Sequence, residues 1–162
     1  MRRVPPNTCA SQRVATLSGY IIEADGASRG NPGHASYGVV IRNLNTGEVV
    51  LELAAVLGHA TNNVAEYNGL VAGLEAIAQM DPSAIVEVRM DSKLVVEQMS
   101  GRWKIKSPDM RDLAVRARQI LPVGNVTYTW IPRDDNKFAD ALANEALDEH
   151  LAGGSGLIER RP

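Results

Sequence analysis

Residues 20–41, YIIEADGASRGNPGHASYGVVI, constrain the fold more than any other stretch of the chain. Two β-prone runs flank a turn that contains three glycines and a proline, which predicts a β-hairpin. Asp25 ends the first run beside Gly26, and together with Gly30 this indicates a place where another group approaches the backbone closely. Considered alone, Asp25 is explained equally well as an acid that caps a turn.

Length and composition predict one domain with a sizeable core, since the chain has 162 residues of which 44% are hydrophobic and 22% charged. The net charge of −2 gives no overall basic signature of nucleic-acid binding, although a cluster of acids can mask a local basic face. Cys9 is the single cysteine, which excludes an internal disulfide and fits a reducing cytoplasm. No apolar run is long enough to cross a bilayer. We therefore expect a cytoplasmic monomer without membrane contact.

The chain divides into three segments. Residues 1–18 contain arginines but no apolar core of a signal peptide, and we expect a flexible N-terminal extension. Residues 19–151 form the folded domain. Residues 152–162, AGGSGLIERRP, are expected to form a flexible C-terminal tail.

The first three predicted strands, at 19–25, 37–44 and 48–57, form an antiparallel meander. Thr61 is a suitable N-cap for a helix over 62–80, so that the strand after this helix lies parallel to the first strand. The remaining predicted elements are a strand at 84–91, helices at 92–101 and 108–120, a strand at 125–131 and a helix at 136–151.

Four acids recur in equivalent positions. Asp25 and Asp91 each end a predicted strand, whereas Glu66 and Asp140 lie near the N-termini of helices on the stripes that face the core. In open sheets with parallel strands such positions converge at a crevice outside the strand ends. Converging carboxylates require cations, and all-oxygen ligation suits Mg²⁺ or Mn²⁺; two such ions about 3.5–4 Å apart promote phosphodiester hydrolysis. For Glu66, a favourable interaction with the helix dipole is the alternative explanation.

Residues 102–110, RWKIKSPDM, place Trp103 within a basic run. A run of cations with an embedded indole can grip a phosphate backbone, but such a run is more often a solvated connector.

Four pieces of the chain resemble type 1 ribonuclease H, in the order found in that family. They are DGASRGNPGHASYG at 25–38, TNNVAEYNGL at 61–70, MDSKLVVEQMSGRWK at 90–104 and WIPRDDNKFADALANEA at 130–146. The second and third are similar to actinobacterial members. The resemblance implies that 19–151 is a ribonuclease H domain of α/β class. Its five-stranded mixed sheet would have three antiparallel and then two parallel strands, with helices on both sides.

The resemblance further implies an endonuclease that hydrolyses the RNA strand of RNA–DNA hybrids by two-metal-ion catalysis and leaves 5′-phosphate and 3′-hydroxyl ends. It places the catalytic and metal-binding carboxylates, for two Mg²⁺ or Mn²⁺ ions with substrate bound, at Asp25, Glu66, Asp91 and Asp140. It places contacts with the hybrid at Asn31, Thr61, Asn62, Asn63, Ser92, Lys93, Trp103, Lys104 and Asn136. Amides suit minor-groove contacts because they both donate and accept hydrogen bonds, although turn or cap roles are the plain alternative for the asparagines.

The chain departs from the family in the loop before the last helix, where many members carry a histidine. Residues 131–139 contain none; Arg133 is a candidate there for contact with phosphate or product. The histidines His34, His59 and His150 lie outside the motif. A hybrid-binding module without catalysis is the main alternative, but such a protein would be expected to have lost one or more acids. A nuclease that acts on DNA or double-stranded RNA is a third possibility, which the asparagine cluster argues against.

Overall fold

The computed structural model describes residues 18–162, and the predicted N-terminal extension lies outside the described residues except for its last position. The strands are β1 Gly19–Gly30, β2 Gly33–Asn43, β3 Val49–Ala60, β4 Ile85–Met90, β5 Val126–Trp130 and β6 Ile158–Arg160. The α-helices are α1 Asn62–Met80, α2 Lys93–Met99, α3 Pro108–Ile120 and α4 Lys137–Leu151. Short 3-10 turns occupy Val123–Asn125 and Arg133–Asp135.

All six strands belong to one mixed sheet in the order β5-β4-β1-β2-β3-β6. The antiparallel β1–β2–β3 meander and the parallel β1–β4–β5 half are both as predicted. The parallel pairing follows from the α1 crossover, because a strand that returns after a helix enters the sheet in the same direction.

The predicted number of five strands is wrong, because β6 pairs antiparallel with β3 at the sheet edge. Its three residues lie in the segment that the sequence suggested as a flexible tail. Ile158 is buried against Val40, Ala54, Leu142 and Ala146, and this contact secures the strand. One buried side chain in so short a segment produces no recognisable alternation, which explains why the strand was not predicted.

The hairpin is longer than expected, since β1 continues past Asp25 and pairs with β2 as far as Gly30 opposite Gly33. Gly30 has a φ of +87°, a backbone conformation that side chains other than glycine rarely adopt. Asp25 therefore lies within β1. It is nevertheless the first residue beyond the β1–β4 ladder, whose last pair is Ala24 with Met90.

The core lies on both faces of the sheet. On one face Ile22 and Val39 pack with Leu70 and Leu74 of α1, and all four are fully buried. Burial of each such side chain is worth about 1.5–3 kcal/mol relative to exposure. The opposite face is covered by α4. Within 18–162, no helix is both long enough and apolar enough to cross a membrane.

Candidate active site

Asp25 and Asp91 are neighbours because β1 and β4 are adjacent strands of the sheet. The parallel β1–β4 ladder ends at the pair Ala24 and Met90, so the next residue of each chain segment is one of the two acids. Both side chains therefore lie at the carboxyl end of the parallel half of the sheet, which is where ligands bind in open sheets of this kind.

Glu66 joins these acids from the second turn of α1, and Gly26 makes this approach possible. A Cβ atom at Gly26 would lie 2.4 Å from the backbone nitrogen of Glu66, closer than any real contact allows. Glu66 is only 4% exposed. Carboxylate oxygens of Asp25, Glu66 and Asp91 lie within 4.8 Å of one another. Three of the four predicted acids are thus brought together.

Asp140 lines the same cleft from α4 but does not belong to this compact set of three. It nevertheless lies close enough to add to the rise in the pKa of Asp25, after burial and the charge of Asp91. Gly38 allows α4 to cross the sheet here, because a Cβ atom at this position would lie 2.1 Å from the carbonyl oxygen of Ala139. The site is therefore assembled from β1, β4, α1 and α4.

The buried carboxylates retain protons more readily than free ones. Burial raises the pKa of Asp25 to about 8, and the negative charge of Asp91 adds to this effect. Burial also raises the pKa of Glu66 well above its usual value, with a further contribution from the charge of Asp25. Without a cation, this arrangement is under electrostatic strain at neutral pH.

The donor set fits divalent cations with a preference for oxygen. Among the described residues, two buried side-chain oxygens lack a hydrogen-bond partner, Oε2 of Glu66 and Oδ1 of Asn136. Such atoms are costly unless something pairs with them. Carboxylate oxygens at this spacing are the ligands that Mg²⁺ and Mn²⁺ prefer, and bound cations would offset the repulsion among the acids.

The surrounding cleft has a volume of about 460 Å³. Of the residues expected to contact nucleic acid, Asn62 and Ser92 line it. The sequence analysis missed Arg29 and Asn144, which also line it. Arg29 lies on the same face of β1 as Asp25. It could be recognised from the sequence only if β1 were known to continue past Asp25. Asn144 could have been found, since it lies one helical turn after Asp140.

The polar residues at the helix starts have structural roles. Oγ1 of Thr61 accepts a hydrogen bond from the backbone nitrogen of Val64 at 3.2 Å, as predicted for an N-cap. Oγ of Ser92 caps α2 in the same way. Oδ1 of Asn31 accepts from the backbone nitrogen of Asn62 at 3.0 Å, so that the β1–β2 turn is fixed to the start of α1. These roles leave room for nucleic-acid contacts, which remain predictions.

Asn136 occupies a different position from the one expected of a nucleic-acid contact. It is 1% exposed, and its Nδ2 donates to the carbonyl oxygen of Ala24 at 2.8 Å and to Oδ1 of Asp91 at 3.4 Å. Its side chain is therefore directed at protein groups, and we interpret it as a residue that positions Asp91.

The remaining predicted contacts are exposed and lie outside the cleft lining: Asn63, Lys93, Trp103 and Lys104. Arg133 does line the cleft. None of the three histidines does; His34 and His59 face each other in the β2–β3 ladder, and His150 lies near the end of α4.

Comparison with known proteins gives a family match. Residues 23–146 match the family model described as "Reverse transcriptase-like". A bifunctional protein of Mycobacterium tuberculosis is 50% identical over 129 residues, which is 79% of this chain and 35% of that protein. A ribonuclease HI of Halobacterium salinarum is 48% identical over 126 residues, covering 77% of this chain and 62% of the relative. The chain thus spans about a third of the length of the mycobacterial relative.

Solved structures agree with the sequence matches. LC11-RNase H1, solved in complex with an RNA/DNA hybrid, superposes with a TM-score of 0.77 and 42% sequence identity. The match covers 82% of this chain and 99% of that one.

Proposed function

The chain belongs to the type 1 ribonuclease H family, and on this basis we propose that it is a metal-dependent endonuclease that hydrolyses the RNA strand of RNA–DNA hybrids. The proposal includes 5′-phosphate and 3′-hydroxyl products. The observation that carries it is the set of Asp25, Glu66 and Asp91, whose carboxylate oxygens lie within 4.8 Å of one another in an open cleft. A binding module without catalysis would have no need of a costly buried set of acids.

Asp25, Glu66 and Asp91 would hold divalent cations, with Asp140 contributing from the edge of the cleft. Two bound Mg²⁺ or Mn²⁺ ions would supply activation of the attacking water and stabilisation of the leaving oxygen. The protein's own part is to hold the carboxylates in place. Asn136 fixes Asp91, and the close contact at Gly26 fixes Glu66 relative to Asp25.

The hybrid would be recognised by the polar residues around the turn at Asn31 and the start of α1. Asn31, Asn62 and Asn63 present amides that can contact sugar hydroxyls and base edges in the minor groove. The 2′-hydroxyl is the group that distinguishes RNA from DNA at one site. Exposed Trp103 and Lys104 would bind the backbone further along the duplex. The hybrid bound by LC11-RNase H1, a protein 42% identical to this chain, supports this choice of substrate.

A cleavage assay on four end-labelled duplexes tests the proposal: RNA–DNA, RNA–RNA, DNA–DNA and DNA with one embedded ribonucleotide. Each is incubated with Mg²⁺, Mn²⁺ or EDTA, and the Asp91→Asn variant is run beside the wild type. Among the four duplexes, we expect cleavage of the RNA strand of the hybrid alone. This cleavage should require both a divalent metal ion and an intact Asp91. Near wild-type cleavage by Asp91→Asn would refute the site assignment.

The same assay separates the alternatives. Binding of the hybrid without cleavage in either metal would support a binding module. Cleavage of RNA–RNA or DNA–DNA at a comparable rate would show a nuclease without the proposed selectivity.

A further inference from the structure

Residues 102–106 leave α2 through Gly101 and carry the exposed Trp103 and Lys104. The backbone nitrogens of Arg102 and Trp103 donate to the carbonyl oxygen of Glu97 at 2.9 and 3.2 Å. These bonds turn the chain and attach it to the end of α2. Further along, Ile105 packs against the core, and its carbonyl oxygen accepts a hydrogen bond from Arg111 of α3 at 2.9 Å. None of these hydrogen bonds involves α1, the helix that carries Glu66.

Gln98 provides that connection. It is 3% exposed, and its Nε2 donates to the carbonyl oxygen of Lys104 at 3.2 Å. Its Oε1 accepts a hydrogen bond from the hydroxyl of Tyr67 at 2.7 Å. Because a backbone carbonyl can only accept, the amide nitrogen must face Lys104, and the amide oxygen is then left for the tyrosine. Arg118 of α3 donates to the backbone oxygen of Gln98 at 3.0 Å, which fixes the other side of the residue.

Tyr67 follows Glu66 directly in α1 and is fully buried. A continuous path therefore runs from the helix that carries Glu66, through Tyr67 and Gln98, to the backbone of Lys104.

We propose that Gln98 is a positioning residue for substrate binding, which holds the Trp103–Lys104 segment at a fixed offset from the carboxylates. This inference rests on the proposed function. A segment that is already ordered loses less conformational entropy when it binds a duplex. It also meets the phosphate backbone of that duplex at a defined distance from the cleavage site. Gln98 therefore acts on hybrid affinity without touching the hybrid.

The exposed ion pair of the segment cannot replace the bonds of Gln98, of which the one to Tyr67 is buried. The ion pair between Arg102 and Glu97 involves a guanidinium that is 58% exposed, and exposed pairs of this kind contribute little. Loss of the Gln98 amide would instead leave the hydroxyl of Tyr67 without its buried partner, which is more costly.

The test compares Gln98→Met, which keeps the side-chain volume but removes both hydrogen bonds, with Tyr67→Phe. For Gln98→Met we expect KM for the hybrid to rise about 5- to 10-fold, since the bond to Lys104 is the one of the two that holds the segment, with kcat within about 2-fold of wild type. Tyr67→Phe should shift KM in the same direction by less. The control is Val96→Ala, which removes buried apolar contacts from the same helix and should leave KM unchanged. Equal KM changes in Gln98→Met and Val96→Ala would overturn the proposal, as would a loss confined to kcat.

A second experiment tests the route of the effect. In a Trp103→Ala/Lys104→Ala background, Gln98→Met should raise KM no further, because the side chains that it positions are gone. Hydrogen exchange of residues 102–106 should be faster in Gln98→Met than in Val96→Ala. An additive effect on KM, or unchanged exchange, would overturn the proposal.

Failure of the proposed function is recognised separately. If the wild type cleaves nothing, that function fails, and the equilibrium binding of hybrid in EDTA is measured instead. Weaker binding by Gln98→Met than by Val96→Ala then supports the positioning role, whereas equal binding, or none by the wild type, overturns it.

Discussion

Asn136 lies behind Asp91, with its Nδ2 3.4 Å from Oδ1 of the carboxylate and 2.8 Å from the carbonyl oxygen of Ala24. One buried amide at the start of α4 therefore contacts both chain segments that carry the central acids. It contacts β1 immediately before Asp25 and the segment that follows β4 at Asp91 itself. The orientation of Asp91 thus depends on the docking of α4.

The first prediction concerns this amide. Asn136→Ala should lower the cleavage rate or the affinity for metal roughly 10- to 100-fold, because residues that orient metal ligands have effects of this size. The measurement is a titration of hybrid cleavage with Mg²⁺. The matched control is Asn125→Ala, which removes a comparable bond from Nδ2 to the carbonyl oxygen of Ser83 at the other end of β4. Equal losses in the two variants would indicate a general effect on stability.

The second prediction concerns pH. The pKa of Asp25 is about 8 in the folded protein against a usual value of 3.8, since burial and the charge of Asp91 disfavour the carboxylate. Between these values the folded state retains a proton that the unfolded chain has released, so the free energy of unfolding must fall as pH rises. Without metal, we expect a loss of up to about 4 kcal/mol between pH 5 and pH 8, because one retained proton costs about 1.4 kcal/mol for each pH unit in this range.

Urea unfolding in EDTA across this pH range measures the effect, with Asp25→Asn as the comparison. The amide cannot titrate, so the variant should depend less on pH and should be more stable than the wild type at pH 8. Added Mg²⁺ should stabilise the wild type more at pH 8 than at pH 5, because the ion binds the deprotonated site. A wild type whose stability rises with pH in EDTA would contradict the assigned burial of Asp25.

The third prediction concerns Gly26. In Gly26→Ala the new Cβ would lie 2.4 Å from the backbone nitrogen of Glu66 and 2.6 Å from the carbonyl carbon of Ala65. These are helix backbone atoms, so α1 as a whole must move away from β1. We expect destabilisation of about 1–3 kcal/mol, as for other overpacked sites, and loss of cleavage through displacement of Glu66.

Thermal unfolding and the hybrid assay measure these two effects. Gly124→Ala is the control, since a Cβ there meets nothing within 4 Å, and we expect a change within about 0.5 kcal/mol. Wild-type cleavage by Gly26→Ala would show that the close contact is not needed to place Glu66.

Much of this architecture could be predicted from local sequence patterns. The α3 bounds, Pro108–Ile120, follow from a proline at the helix start and an apolar stripe, and Thr61 caps α1 as expected. The approach of Asp25 to Asp91 was predictable too, because strand ends and a helical crossover together determine which residues meet at the edge of a parallel pair.

What was missed depends on contacts between distant parts of the chain. The start of β6 is stabilised by one buried side chain, Ile158, and no periodic pattern announces it. The sequence places Asn136 at the start of the last helix, and the resemblance implies that it contacts the hybrid. The bonds of its buried amide to Ala24 and Asp91 depend on the docking of α4, which no local pattern predicts. The bond from Gln98 to Tyr67 joins residues 31 positions apart, and a glutamine in a short helix gives no sign of such a partner.

The last prediction concerns the edge of the site. Nδ2 of Asn144 donates to the backbone oxygen of Asp140 at 3.0 Å and to its Oδ1 at 3.3 Å, while Oδ1 of Asn144 accepts from Arg29 at 3.4 Å. Asn144→Leu keeps the size of the side chain but frees the Asp140 carboxylate to rotate. We expect the Mg²⁺ concentration for half-maximal cleavage to rise roughly tenfold, because the variant removes an orienting bond to a proposed ligand.

Asp148→Ala is the matched control on the same helix. It removes the other partner of Arg29, at 2.7 Å, in an ion pair whose carboxylate is 69% exposed, and such a pair is worth about 0–1 kcal/mol. If the two variants need the same Mg²⁺ concentration, Asp140 is held by the helix backbone alone and the Asn144 amide has no part in orienting it.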